Sequence, residues 1–164
     1  PSSESHNINL IKKCIDKFNL VLLSLGALKE NELKKILFFI RNKKNVIPLH
    51  CVSAYPLAAE DFNYEKLKFI RKNSQRFGYS GHLSGVEDAI FAIEKGATVI
   101  EKHFTVDQEL KGRDNKFALL PNDLRIIRNY IENKKKFETN KGLGLQKKEI
   151  DVYKHYRGRW SKND

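Results

Sequence analysis

The sequence predicts an α/β fold in which parallel strands alternate with covering helices. Short apolar runs, such as residues 20–23 and 46–52, alternate with segments whose apolar residues recur at i, i+3, i+4 and i+7. The strands are almost continuously apolar, as strands covered on both faces are. Polar residues then stand where each strand ends: Ser24, Ser53 and Tyr55, Ser80 and His82, and His103. In parallel α/β architectures, ligands bind at those carboxyl ends. Four such units over residues 20–137 suit either a small doubly wound sheet or half of a β/α barrel, and periodicity does not choose between them. The 164 residues make one domain. They are too few for a complete eight-stranded barrel of roughly 250 residues.

Each element has its own justification. Leu10, Ile11, Cys14, Ile15 and Phe18 fall at helical spacing, predicting a helix over residues 7–18. Residues 20–23 form a buried strand that Ser24 and Gly26 end. Leu33, Ile36, Leu37 and Ile40 mark a second helix, closed by the polar turn at residues 41–44. The strand at 46–52 contains Pro48, which is awkward in a central strand. A third helix is expected over 63–77 with Leu67 and Ile70 inward and Gly78 closing it, then a short strand over 79–83. Ser84 and Glu87 have capping-box spacing for a fourth helix that runs to Lys95 and stops at Gly96. A strand is expected from Ala97 through Thr105, followed by a loop of about 15 residues. Pro121, Asn122 and Asp123 open a last helix carrying Leu124, Ile127 and Ile131.

A net charge of +11 raises the question of nucleic acid, and its distribution answers it. Residues 133–164 carry ten Lys/Arg and four Asp/Glu, so more than half of the excess lies in a polar, Gly-containing tail. The body is only mildly basic and carries no zinc-finger spacing, RNA-binding aromatic motif or arginine-rich run. No nucleic-acid partner is expected. No run of about 18 apolar residues is present, so no membrane span is expected, and the first ten residues lack the apolar core of a signal peptide. Two cysteines, Cys14 and Cys51, both in apolar patterns, do not make a disulfide framework. A reducing, cytoplasmic setting is expected.

Chemistry is sought first at the strand ends. His82 and His103 end strands expected to be neighbours about 4.8 Å apart, so their imidazoles can converge on one ion. By ligand type, two imidazoles with open positions suit Mn²⁺, Zn²⁺ or Fe²⁺; a hydrogen-bonded structural pair is the other reading. His6, His50 and His155 lack such partners. Asp114 lies in the long loop after His103, where a functional carboxylate and a solvated turn fit equally. Ser2, Ser3 and Glu4 precede the first helix and Ser24 precedes Gly26; hydroxyls and N–H groups there can hold an anion or simply cap. No phosphate-binding glycine loop, nucleophile elbow or zinc-protease motif is present.

Taken in order, these residues resemble a known family. Pro1–Glu4, Ser24-Leu25-Gly26-Ala27, residues 49–56 (LHCVSAYP), 78–82 (GYSGH), 97–105 (ATVIEKHFT) and Gly112-Arg113-Asp114 follow the order seen in sialic acid synthases, the N-acetylneuraminate synthase family that includes legionaminic and pseudaminic acid synthases. The resemblance implies the second half of a TIM-type (β/α) barrel over residues 1–139 and a basic linker over 140–164 toward an antifreeze-like domain. It implies condensation of phosphoenolpyruvate with an N-acetylated amino sugar such as N-acetylmannosamine, giving a nine-carbon 2-keto-3-deoxy acid and phosphate. A half of this kind is expected to be inactive alone, or to be a non-catalytic half-barrel that associates with another chain. The full-length protein is expected to be a homodimer.

Carried over by motif, His82 and His103 match the metal-binding histidines, with Mn²⁺ or Mg²⁺ implied. Glu4 matches a glutamate beside the reacting carbons, and Asp114 the loop aspartate that contacts sugar hydroxyls. Ser2, Ser24 and Ser80 match hydroxyls near phosphoenolpyruvate; Ser53 and Tyr55 match sugar-facing positions. Departures are Leu25 and Ala27 where the pattern has Thr and Met, Leu83 for a hydroxyl residue, Arg113 and Asn115 for Pro and His, and Gly81 for the Asp of GYSDH. Losing that last carboxylate is expected to loosen the surroundings of the metal-binding histidines.

Overall fold

The computed structural model describes residues 1–161. The chain divides into two compact units, Pro1–Ile131 and Glu132–Asp164. In the first, a 3-10 turn, Ser2–Glu4, leads into α1 (Ile8–Lys17), β1 (Val21–Ser24), α2 (Glu30–Ile40), β2 (Val46–Cys51), α3 (Tyr64–Lys72), β3 (Gly78–Gly81), α4 (Glu87–Glu94) and β4 (Val99–Lys102). Helix α5, Pro121–Phe137, follows the long loop. The strands are all parallel and stand in the order β1-β2-β3-β4. A doubly wound sheet reverses its strand order at a switch point. Strictly sequential order instead makes this a curled half-barrel.

The helix-facing core accounts for the apolar periodicity. Leu33, Ile36, Leu37 and Ile40 of α2 and Leu67 and Ile70 of α3 pack with Leu23, Leu25 and Val46. A second cluster joins Ala89 and Ile93 of α4 to Leu119 and Ile127. Pro48 is tolerated because of strand register. The Leu49 carbonyl points to β1, where it accepts from Leu25 N at 2.9 Å. Alternation therefore turns Pro48 toward β3, whose pairing begins only at Leu49↔Gly78. Its missing N–H faces a place where no ladder has started.

Four local expectations are corrected. Helix α3 stops at Lys72 rather than 77: Asn73 Nδ2 donates to Phe69 O (2.8 Å) and Ser74 Oγ to Ile70 O (2.6 Å), closing the last turn with side chains. Gly78 belongs to β3, where a Cβ would lie 2.5 Å from Leu49 Cδ2 and 2.7 Å from Val99 O. Ser84 does not cap α4; the cap is Val86, without a side-chain hydrogen bond, because Gly85 turns the chain at φ +90°. Strand β4 ends at Lys102, since His103 O accepts from Leu119 N (2.8 Å) and Thr105 N donates to Leu119 O (2.9 Å). The basic tail is not featureless: a turn at Lys147–Glu149 precedes a short, exposed helix α6, Ile150–His155.

Candidate active site at the strand ends

Alternation sorts the side chains of β3 and β4 onto two faces. Ser80 Oγ donates to Glu101 Oε1 at 2.6 Å on the concave face, and the rings of His82 and His103 follow there with centroids 5.4 Å apart. These residues line an open cleft of about 260 Å³. Strand pairing therefore brings the two expected histidines together.

The surroundings of each imidazole leave the same nitrogen over. His82 is 5% exposed and its Nδ1 donates to Val52 O at 2.9 Å. His103 Nδ1 lies 3.6 Å from Asp114 Oδ2, so the long loop does return its carboxylate to the site. With Nδ1 turned this way, Nε2 is the nitrogen each ring can offer a ligand, and on His82 the Cys51 sulfur competes for it. Tyr55 covers the pair, its ring 4.2 Å from His82 and 5.9 Å from His103. Phe117, 5.1 Å from His103, closes the other side. The donor set fits a divalent ion held by two nitrogens. Among the described residues no third His, Cys, Asp or Glu completes a cluster, so a bound ion would take its remaining positions from water or substrate oxygen.

A second group gathers at the ends of β1 and β2. Ser2 Oγ donates to Ser24 Oγ (3.2 Å) and lies 3.4 Å from Cys51 Sγ; Ser53 Oγ is 3.8 Å from the same sulfur. These hydroxyls surround Gly26, where a Cβ would stand 2.3 Å from Ser53 Oγ and 2.4 Å from Ser2 Oγ. Only glycine leaves this polar cradle open. Burial pushes the Cys51 thiol up, but hydrogen bonding to His82, Ser2 and Ser24 overcomes it and brings the thiol down to about 6. Burial likewise pushes His82 down, and its bonds to Cys51 and the Val52 carbonyl raise it above 6.5. His82 Nε2 serves either a thiolate, as a donor, or a cation, as a lone pair.

Not every expected residue joins. Glu4 is exposed and accepts from Asn7 Nδ2 at 3.4 Å; among the described residues it has no bond to the histidines or the hydroxyl cradle. Gly81 does not face the histidines either. A Cβ there would meet Tyr79 Cε1, Asp88 Oδ2 and Lys102 Cδ on the helix-facing side, so a side chain at this position reaches the surroundings of the histidines through these neighbours. Sequence reasoning missed Cys51 and Glu101. Their signal was the two-residue alternation Leu49/Cys51/Ser53 and Glu101/His103, which puts them on the concave face.

Known proteins resemble the chain in sequence and in fold. The chain is 33% identical over 135 residues to N,N'-diacetyllegionaminic acid synthase of Campylobacter jejuni, covering 77% of this chain and 40% of that protein. It is 32% identical over 129 residues to human N-acetylneuraminate-9-phosphate synthase, covering 75% and 35% respectively. The crystal structure of N-acetylneuraminic acid (sialic acid) synthetase from Leptospira borgpetersenii superposes with a TM-score of 0.76 at 31% identity, over 98% of this chain and 57% of that one. The chain thus spans about two fifths of the length of the curated relatives it matches. The NeuB family profile matches residues 1–142, and with the sequential parallel strands and the strand-end residues already placed, the chain belongs to the NeuB family.

Proposed function

We propose that this chain forms the metal-binding half of a sialic-acid-type synthase, which condenses phosphoenolpyruvate with an N-acetylated amino sugar to a nine-carbon 2-keto-3-deoxy acid and phosphate. The observation that carries the reading is the convergence of His82, His103, Asp114 and Tyr55 beside an open cleft. His82 and His103 would hold Mn²⁺ or Mg²⁺ through Nε2. A bound ion supplies Lewis acidity toward the aldehyde oxygen of the open-chain sugar.

The chain's own groups bind and orient. The Ser2, Ser24 and Ser53 hydroxyls offer donors to an anion or a sugar hydroxyl at the rim of the cradle. Tyr55 gives a flat apolar wall for a pyranose-derived chain, and Asp114 accepts from sugar hydroxyls while holding His103. Ser80, fixed by Glu101, points its oxygen into the same cleft. Glu4 is proposed to serve proton transfer once substrate reaches the rim. In the reaction, the phosphoenolpyruvate methylene carbon bonds to the aldehyde carbon, water adds to the former enol carbon, and cleavage of its bond to the phosphate ester oxygen releases phosphate and leaves the ketone.

The chain alone is proposed not to turn over. Among the described residues strands β1 and β4 have no outer strand partner, and Leu22, whose neighbour Leu23 packs in the helix-facing core, remains 43% exposed. A concave face this open leaves its charges in water, where transition-state electrostatics are weak. The same open edges favour the second reading, a half-barrel that works by associating with another chain.

The test is Mn²⁺ binding followed by electron paramagnetic resonance. His82→Ala/His103→Ala is expected to lower affinity more than about 100-fold, beyond the loss from removing an outer hydrogen-bonding partner alone. Unchanged affinity shows the ligand assignment wrong. Phosphate release by the purified chain from phosphoenolpyruvate and N-acetylmannosamine would overturn the proposed inactivity.

A further inference from the structure

We infer that Asp88 of α4 is a positioning residue that delivers, from the helix, a carboxylate whose space excludes any side chain at position 81 of β3. Through Lys102 it fixes the two strand ends that carry His82 and His103. The part concerning metal affinity rests on the proposed metal site; the packing part does not.

The geometry is closed on every side. Lys102 Nζ donates to both carboxylate oxygens of Asp88, at 2.9 Å each, and to Leu83 O at 2.6 Å, which uses all three of its protons. The two side chains are 4% and 2% exposed. Asp88 Oδ2 also accepts from Tyr79 OH at 2.8 Å, and Oδ1 from Ala89 N at 2.8 Å. The carboxylate thus ties α4 to β3 through Tyr79 and to β4 through Lys102, while Lys102 holds the backbone just after His82. Lys102 immediately precedes His103 and Gly81 immediately precedes His82.

Position 81 is where this network and the sequence pattern meet. A Cβ on Gly81 would lie 2.5 Å from Asp88 Oδ2, 2.4 Å from Tyr79 Cε1 and 2.9 Å from Lys102 Cδ. A side chain at 81 and the Asp88 carboxylate cannot occupy this pocket together. Moreover, an aspartate at 81 would point its charge at the same ammonium. Gly81 and Asp88 thus make an exchange of space: the bare backbone at 81 leaves the volume that the Asp88 carboxylate fills beside Lys102.

The exchange is tested by reciprocal rescue in the full chain, reading melting temperature and Mn²⁺ affinity. Gly81→Asp alone puts two carboxylates in one pocket, and Asp88→Ala alone leaves Lys102 buried without one. Each is expected to lower the melting temperature by about 10 °C and Mn²⁺ affinity by about tenfold. The double variant Gly81→Asp/Asp88→Ala is expected to recover at least half of both losses. Asp88→Asn, which keeps the shape and removes the charge, gives a milder loss if the alanine variant fails to fold. A double variant no better than the worse single, or one that fails to fold, overturns the inference. So does a set of variants that shifts melting while Mn²⁺ affinity stays constant and His82→Ala/His103→Ala abolishes it, because Asp88 is then structural only. If the histidine variant itself leaves Mn²⁺ affinity unchanged, the metal reading fails, and rescue of the melting temperature alone decides the packing exchange.

Discussion

The two faces of the β3–β4 pair carry similar residue types and do different things with them. On the helix-facing side, Tyr79, Asp88 and Lys102 spend their polar atoms on each other and on Leu83 O and Ala89 N. On the concave side, His82 bonds the Val52 carbonyl and shares a hydrogen bond with Cys51, His103 only approaches Asp114 at 3.6 Å, and Glu101 and Asp114 remain partly in water. A saturated polar cluster in low dielectric holds geometry, because breaking any member strands a buried charge. An unsaturated cluster at an open cleft can accept a ligand. The concave side is precise because the hidden side is complete.

The largest effect should follow from breaking that completeness. Lys102→Met removes the cation and keeps the bulk, leaving Asp88 buried with, among the described residues, only Tyr79 OH and Ala89 N. Removing one partner of a buried pair costs about 3–5 kcal/mol. Urea denaturation should show the unfolding free energy lowered by that amount, and a loss under about 1 kcal/mol would show the network to be loosely held.

His50 is the exception on the helix-facing side and gives the next effect. It is fully buried, its Nε2 donates to Phe62 O at 2.7 Å, and its Nδ1 has no hydrogen-bond partner among the described residues. Burial lowers its pKa from 6.5 to about 4, the Phe62 carbonyl opposing this and the Lys66 ammonium adding to it. The folded state therefore favours neutral His50. The resulting stability is fully present above pH 6.5 and is lost as pH falls through 4, because the unfolded chain takes up the proton first. The window is worth about 3 kcal/mol. The difference between wild type and His50→Gln, measured by denaturant midpoint from pH 7 to 4, should narrow by that amount; parallel curves would show that His50 can charge without cost.

How much of this was legible follows the same division. Helices α1, α2 and α5 were readable because their apolar stripes repeat over ten or more residues. The end of α3 was not, because Gln75, Arg76 and Phe77 continue a plausible helix while the stop is set by Asn73 and Ser74 bonding their own turn. The end of β4 depended on a partner, Leu119, seventeen positions beyond Lys102. In the site, His82 and His103 were legible as polar residues ending apolar runs. Cys51 was hidden by its own apolar character, and Asp88 by its place in the first turn of α4, where an acid ordinarily just complements the helix dipole. What ties Asp88 to Gly81 is a shared volume, and volume is not written in a one-dimensional pattern.

The smallest effect tests the open side. Asp114 and His103 are 3.6 Å apart and both partly exposed, so water weakens their attraction. Asp114→Asn should change global stability by less than about 0.5 kcal/mol, as exposed pairs do. On the proposed metal reading, it should nevertheless lower Mn²⁺ affinity by about tenfold, since the carboxylate orients the imidazole. Melting and Mn²⁺ titration on one sample separate the two. A variant that melts earlier but binds Mn²⁺ normally would assign Asp114 to the fold and dissolve the contrast between the faces. One that melts normally and binds weakly would locate the site's chemistry where the hydrogen bonds are left unfinished.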